Sequence, residues 1–130
     1  MRDLKSNIKP VQSLVPATRN AAANGTGVDL AGFNSASVIF SSGAIGGTAS
    51  PAFTFEVQES DDNTNFTAVA DKDLRGTEPV ITAANQMSQV GYVGYKRYIR
   101  AVVKTVAGTS PTLDCAANVI LGNPAVAPTV

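Results

Sequence analysis

The side chains able to do chemistry are few and far apart. There is no histidine, which removes the commonest general base near neutral pH, the usual neutral metal ligand and any Ser-His triad. Cys115, the single cysteine, alternates with Leu113, Ala117, Val119 and Leu121. Burial among aliphatic neighbours raises a thiol's pKa, so Cys115 is expected to pack as a small hydrophobe and not to act as a nucleophile. Glu59, Asp61 and Asp62 are the one dense acidic group, and a carboxylate pair can serve as acid and base or hold Ca²⁺. Aligned on a calcium loop starting at Asp61, however, the required glycine position holds Phe66 and the closing glutamate position holds Lys72. A solvated hairpin tip is the expectation there.

Other constellations reduce in the same way. Gly43, Gly46 and Gly47 lack the following Lys-Ser/Thr of a phosphate cradle. Tyr92, Tyr95 and Tyr98 interleave with Lys96, Arg97 and Arg100, a composition that can stack single-stranded nucleic acid. The simpler reading is that Tyr92 and Tyr98 cap the core while the basic residues pair with carboxylates. Asn24-Gly25-Thr26 and Asn65-Phe66-Thr67 match the glycosylation sequon, which matters only on a eukaryotic secretory route. No catalytic, cofactor-binding or metal-binding residue is therefore expected.

The chain has 130 residues, ten of them basic and ten acidic, with a charged fraction of 15%. Neither sign gathers into a run, so no field draws in nucleic acid. Residues 1–9 lack the apolar stretch of a signal peptide, and no run of apolar residues is long enough to span a membrane. A soluble single domain made in the cytoplasm is expected. The abundance of small neutral side chains suits sheets and close protein contacts.

The elements that must carry these residues are strands. Pro10 and Pro16 lack the amide hydrogen that a central strand or helix interior needs, so residues 1–20 read as an extended arm. Turn chemistry at Asn24-Gly25 precedes a short strand at 28–30. Residues 35–40 alternate, and the Gly- and Ser-rich run 41–51 reads as a mobile loop. The clearest pattern is Phe53, Phe55 and Val57 against Thr54, Glu56 and Gln58, which demands one buried face. Residues 60–65 form a turn into a second hairpin strand, short strands are expected at 80–82 and 88–92, and residues 97–105 and 113–121 form two more, joined by a turn at 108–111. This predicts an all-β single domain, a β-sandwich or jelly-roll-like barrel, with an arm at 1–20, a β domain at 21–121 and an extended tail at 122–130.

Several stretches taken together carry a resemblance. They are Asp3-Leu4-Lys5-Ser6-Asn7-Ile8, Leu14-Val15-Pro16-Ala17-Thr18-Arg19, Gly25-Thr26-Gly27-Val28-Asp29-Leu30, and Phe55-Glu56-Val57-Gln58-Glu59-Ser60-Asp61-Asp62. Lys96-Arg97-Tyr98-Ile99-Arg100 and Val119-Ile120-Leu121-Gly122-Asn123-Pro124 extend the match over nearly the whole chain. It resembles small head-associated structural proteins of tailed bacteriophages and prophages. That resemblance implies a virion component, a capsid decoration or cement protein on the exterior of the shell, whose partner is the major capsid protein. It is also compatible with self-association as a homo-oligomer, such as a trimer about a local threefold axis.

On that reading the arm clasps the partner, because extended peptides add to sheet edges through main-chain hydrogen bonds. Arg2, Leu4, Ile8, Val11 and Leu14 are the expected partner-binding residues. A head-to-tail connector or tail component is the alternative within the virion. A carbohydrate-binding or host-adhesion module is the alternative of another class, and the absence of tryptophan weighs against it.

Overall fold

A computed structural model describes residues 2–125. Alternation builds nearly all of it. Phe53, Phe55 and Val57 point inward and are buried, as are Leu113, Cys115, Ala117, Val119 and Leu121. The strands are β1 (Ile8–Arg19), β2 (Ala23–Asn24), β3 (Val28–Asp29), β4 (Phe33–Ser60), β5 (Thr67–Ala68), β6 (Leu74–Arg75), β7 (Val80–Ile81), β8 (Met87–Tyr92) and β9 (Tyr98–Pro124). They form one antiparallel nine-stranded sheet ordered β1-β9-β4-β8-β6, with β2 and β3 also on β9 and β5 and β7 also on β4. The fold is all-β, and no α-helix occurs among the described residues.

Two long strands organise the sheet. β4 has 28 residues and β9 has 27, and they pair from Phe33 opposite Pro124 to Ser60 opposite Tyr98. A straight strand of that length reaches roughly 90 Å, so the ribbon must bend to make a core. Phe40 and Phe55 prove the bend: a straight backbone would hold them ~50 Å apart, yet their ring centroids are 5.3 Å apart. The pairing slips at Ser42/Ile45, Gly46/Thr48, Thr48/Ala52 and Thr54/Phe55, and such bulges sharpen strand curvature. Gly47 and Gly108 occupy the left-handed region at φ +111° and +107°, which suits residues without a Cβ. At Gly108 a Cβ would also lie 2.8 Å from the Cα of Pro51.

The run at 41–51 is thus the bent middle of β4 and not a loop, and the expected turn at 108–111 is the bent middle of β9. The segment read as an arm departs from that reading at Ile8, where β1 begins and pairs with β9 from Ile8 opposite Gly122 to Arg19 opposite Leu113. β1 can hold two prolines because it ends the strand path, where one side of the backbone needs no partner. Pro10 stands opposite Ile120, and Pro16 falls in the irregular stretch between the Leu14–Ala117 and Ala17–Cys115 pairs. Of the expected tail, Gly122 to Pro124 still belongs to β9, and residues 126–130 lie outside the described residues.

Edge filling continues on β4. β7 pairs with Phe53 and Thr54, β5 pairs with Gln58 and Glu59, and between them the backbone N–H of Val57 donates to the carboxylate of Glu78. The Phe55 N–H donates to the carbonyl of Pro79 at 3.0 Å. A side-chain carboxylate therefore stands in for a missing strand residue, and the row of donors is satisfied.

Candidate functional site

The pairing registers bring distant parts of the chain to one end of the sheet. Gly122 lies between Ile8 and Ser35, and Ala36 lies between Leu121 and Tyr92, with Leu74 beyond Tyr92. Leu4 is one 3-10 turn before Ile8 and is 54% exposed. Residues 93–97 leave β8 at this same end, held by Val93 N–H to the Asp73 carbonyl at 2.8 Å and by Leu30 N–H to the Arg97 carbonyl at 2.8 Å. The N-terminal segment, the last described residues of the chain and the 93–97 connection thus lie at the same end of the sheet.

A cleft of about 530 Å³ opens there, between residues 30–36 and 92–96. Leu30 and Phe33 form its half-buried apolar side. The floor is Tyr92, whose ring is buried and whose hydroxyl donates to Glu59 Oε1 at 2.8 Å and accepts the Lys96 backbone N–H at 3.0 Å. Burial, reinforced by the hydrogen bond to Glu59, pushes the Tyr92 phenol far above its ordinary value and keeps it protonated. Tyr95, on the rim, is 99% exposed, and Val93 is exposed beside it.

The charges around the cleft are paired within the chain. Lys96 Nζ, the cation lining it, is 2.8 Å from Asp61 Oδ2. Arg97 makes a two-pronged contact with Asp29, Nε to Oδ1 at 3.0 Å and Nη2 to Oδ2 at 2.9 Å, and this contact holds the Asp29 carboxyl below its usual range. Arg100 donates to Gln58 Oε1 at 2.9 and 2.7 Å and lies 4.1 Å from the Phe66 ring centroid. The expectation that basic residues pair with carboxylates is met by Lys96 and Arg97. The three tyrosines do not make a stacking platform: Tyr92 is buried, Tyr95 stands alone outside, and Tyr98 is half-buried with the Arg97 guanidinium 5.3 Å from its ring centroid.

The acidic group disperses. Glu59 turns to Tyr92, Asp61 to Lys96, and Asp62 to its own turn. Asp62 accepts the backbone N–H groups of Thr64 and Asn65 and the Ser60 hydroxyl, and these bonds hold its carboxyl far below the ordinary carboxylate range. Among the described residues no group of three or more His, Cys, Asp or Glu side chains is placed to hold a metal ion. Cys115 is buried in the core, and burial pushes its thiol up, with the nearby Arg19 opposing only in part.

The expected partner-binding residues separate into two sets. Arg2 and Leu4 are exposed. Ile8 and Val11 are half-buried in β1, and Val11 packs against the core. Leu14 is 1% exposed and fully inside the core, so it cannot anchor in a partner while the domain is folded. It turns inward because β1 belongs to the sheet. The cleft residues Leu30, Phe33 and Val93 were not singled out by sequence reasoning, and Tyr95 entered it only within the tyrosine and basic constellation weighed for stacking nucleic acid. Val93-Gly94-Tyr95, apolar side chains outside any strand alternation, are the signal that marks them.

Compared with known proteins, the chain matches no protein-family model and no curated protein.

Proposed function

We propose that the chain is a structural component of a tailed-phage virion, a decoration or cement protein that binds the outer surface of the major capsid shell and stabilises it. The observation that carries this reading is the end of the sheet where the N-terminal segment, the last residues of β9 and the 93–97 connection emerge, with Val93 and Tyr95 exposed there. Val93 and Tyr95, two exposed large apolar side chains lining a cleft, are surface suited to a protein contact. The resemblance of residues 3–8, 14–19, 25–30, 55–62, 96–100 and 119–124 to phage head proteins supplies the setting.

Packaged DNA presses outward on a capsid. A small domain that bridges neighbouring shell subunits adds contacts that must break before the shell opens, and many copies together supply a large effect from modest individual affinities. Only Arg2, Leu4 and the exposed side of Ile8 remain of the expected anchors, so the contact is made by the end of the sheet as a surface and not by a detached arm.

The test is the ratio of this chain to the major capsid protein in purified particles. Copies on the order of hundreds per particle support decoration, because they follow the symmetry of the shell. About six or twelve copies would give the role to a connector, and none would remove the chain from the virion.

A further inference from the structure

We infer that the outward face of the sheet half built from β1, the C-terminal part of β9, the N-terminal part of β4 and β8 packs against the same face of a second copy of the chain across a twofold axis. The inference does not depend on the capsid-binding reading.

Alternation sends Val38 and Phe40 of β4, Val119 and Leu121 of β9 and Val90 of β8 into the core, and therefore turns Ile39, Asn118, Ile120 and Gln89 to the other side. Ile39 stands opposite both Asn118 and Gln89, and β1 extends the patch with Pro10 opposite Ile120 and Gln12 opposite Asn118. The bent ribbon folds over the inner side only, where Phe40 meets Phe55. Ile39, Asn118 and Ile120 stay half-exposed at the middle of the outer face, and Pro10, Gln12 and Gln89 are exposed around them. This face is almost without charge: residues 31–55 and 79–95 contain no Asp, Glu, Lys or Arg, and residues 105–130 contain Asp114 alone. The solvent-facing surface of a small domain is ordinarily roughly a quarter to a third charged, and depletion of charge marks the core of a contact surface.

Composition, margin charges and size choose the occupant. A twofold contact sets each side chain against a copy of its own surface, which repels where that surface carries one sign and does not where it carries none. The amides of Gln12, Gln89 and Asn118 and the Ser37 hydroxyl each donate and accept, so the face can complete its hydrogen bonds with itself. Two opposite charges stand at different corners: Asp114 opposite Thr18 near the bend, and Arg75 on the far edge, its side chain lying over Gly91. Neither is in a salt bridge among the described residues, and a twofold axis midway between those corners sets Asp114 of each copy against Arg75 of the other. Four strands about 4.8 Å apart, over residues 114–122 of β9 at about 3.4 Å each, give on the order of 500 Å² per copy. Two copies together reach the total of about 1,000 Å² that a specific interface needs.

The experiment is analytical ultracentrifugation of the full chain over a range of concentrations. The parent is expected to sediment at twice the mass of one chain and to dissociate on dilution. Ile39→Lys sets a charge in the middle of the face against its own copy, and Asn118→Lys does so beside it. Each is expected to weaken self-association by about tenfold or more while keeping the parent's circular dichroism, and if one of them fails to fold the other decides. Val80→Lys, at an exposed position on β7 in the other half of the sheet, is expected to leave self-association unchanged. A dimer that survives both face variants, a dimer that Val80→Lys weakens as much, or a parent that sediments as a trimer overturns the inference. A parent that stays monomeric overturns it too, and loss of capsid binding by Ile39→Lys would then give the face to the shell.

Discussion

The hydroxyl of Ser13 accepts the backbone N–H of Ala101 at 2.9 Å and donates to the Thr26 carbonyl at 2.8 Å. Ser13 lies in β1, which pairs with the far half of β9, whereas Ala101 lies in the near half. One buried hydroxyl therefore joins the two arms of the bent ribbon. Ser13→Ala leaves the Ala101 donor without its side-chain partner in a site that is 2% exposed. The expected loss of stability is about 1–3 kcal/mol, read as a lower urea midpoint with an unchanged slope.

Glu78 separates charge from hydrogen bonding. Burial first, then the nearby charges of Glu56 and Asp71, raise its pKa above the ordinary glutamate value, while the Val57 N–H and Lys104 oppose. The ionised form is thus disfavoured in the folded state, and stability attributable to this group rises as pH falls through the raised pKa toward the unfolded value. Glu78→Gln keeps an acceptor for Val57 and removes the charge. It is expected to be at least as stable as the parent at pH 7, with that advantage shrinking in acid. Glu78→Ala orphans the Val57 N–H and is expected to lose about 1–3 kcal/mol. Denaturation of the three proteins at pH 7 and pH 4 checks the ordering.

Asp62 has the opposite sign. Its carboxyl is held low by the backbone N–H groups of Asn65 and Thr64, so its contribution is present above the unfolded carboxylate pKa and is lost as pH falls through the lower folded one. Asp62→Ala is expected to speed amide hydrogen exchange at Thr64 and Asn65 at neutral pH and to leave exchange in β9 unchanged. Equal exchange at those two amides in parent and variant would contradict the turn network.

Gly108→Ala tests the bend itself. The substitution meets both a positive φ and a close Pro51 Cα, and a residue forced into an incompatible backbone region destabilises by more than about 1 kcal/mol. Thermal unfolding should show the loss, and Ala107→Gly, at a neighbouring extended position, should not reproduce a loss of the same origin.

What could be read from residue order depended on how local the deciding interaction was. The faces of 53–57 and 113–121 were legible because alternation is a two-residue property. So was the hairpin tip, since Asp62 bonds residues two and three places on. Gly46-Gly47 and Gly108 were legible as irregular but not as bends within continuous strands. A positive φ serves a turn and a bulge alike, and only the pairing of Thr48 with Thr109 decides between them. Pro10 and Pro16 argued against a central strand, correctly, and an edge strand satisfies the same constraint once sheet order is known. Leu14 then follows β1 into the core. The Tyr95 cleft was hidden because its walls come from residues 30–36 and 92–96, which meet through the register of β4 with β8 and the Leu30–Arg97 backbone bond.

The position of β9 in the strand order also governs how the chain can acquire its shape. β1, β2, β3 and β4 all hydrogen-bond to β9, and every one of them precedes it in the chain. A ribosome therefore releases four strands whose common partner has not yet been made, including the 28-residue β4 with its apolar face. Completion of the sheet waits for translation to reach residue 124, and the high sequence separation of its pairings makes that step slow. In the interval the side of β4 that will face β9 is an open, sticky edge, so yield during synthesis should respond to chaperone supply and to growth temperature more than the finished domain's stability would suggest.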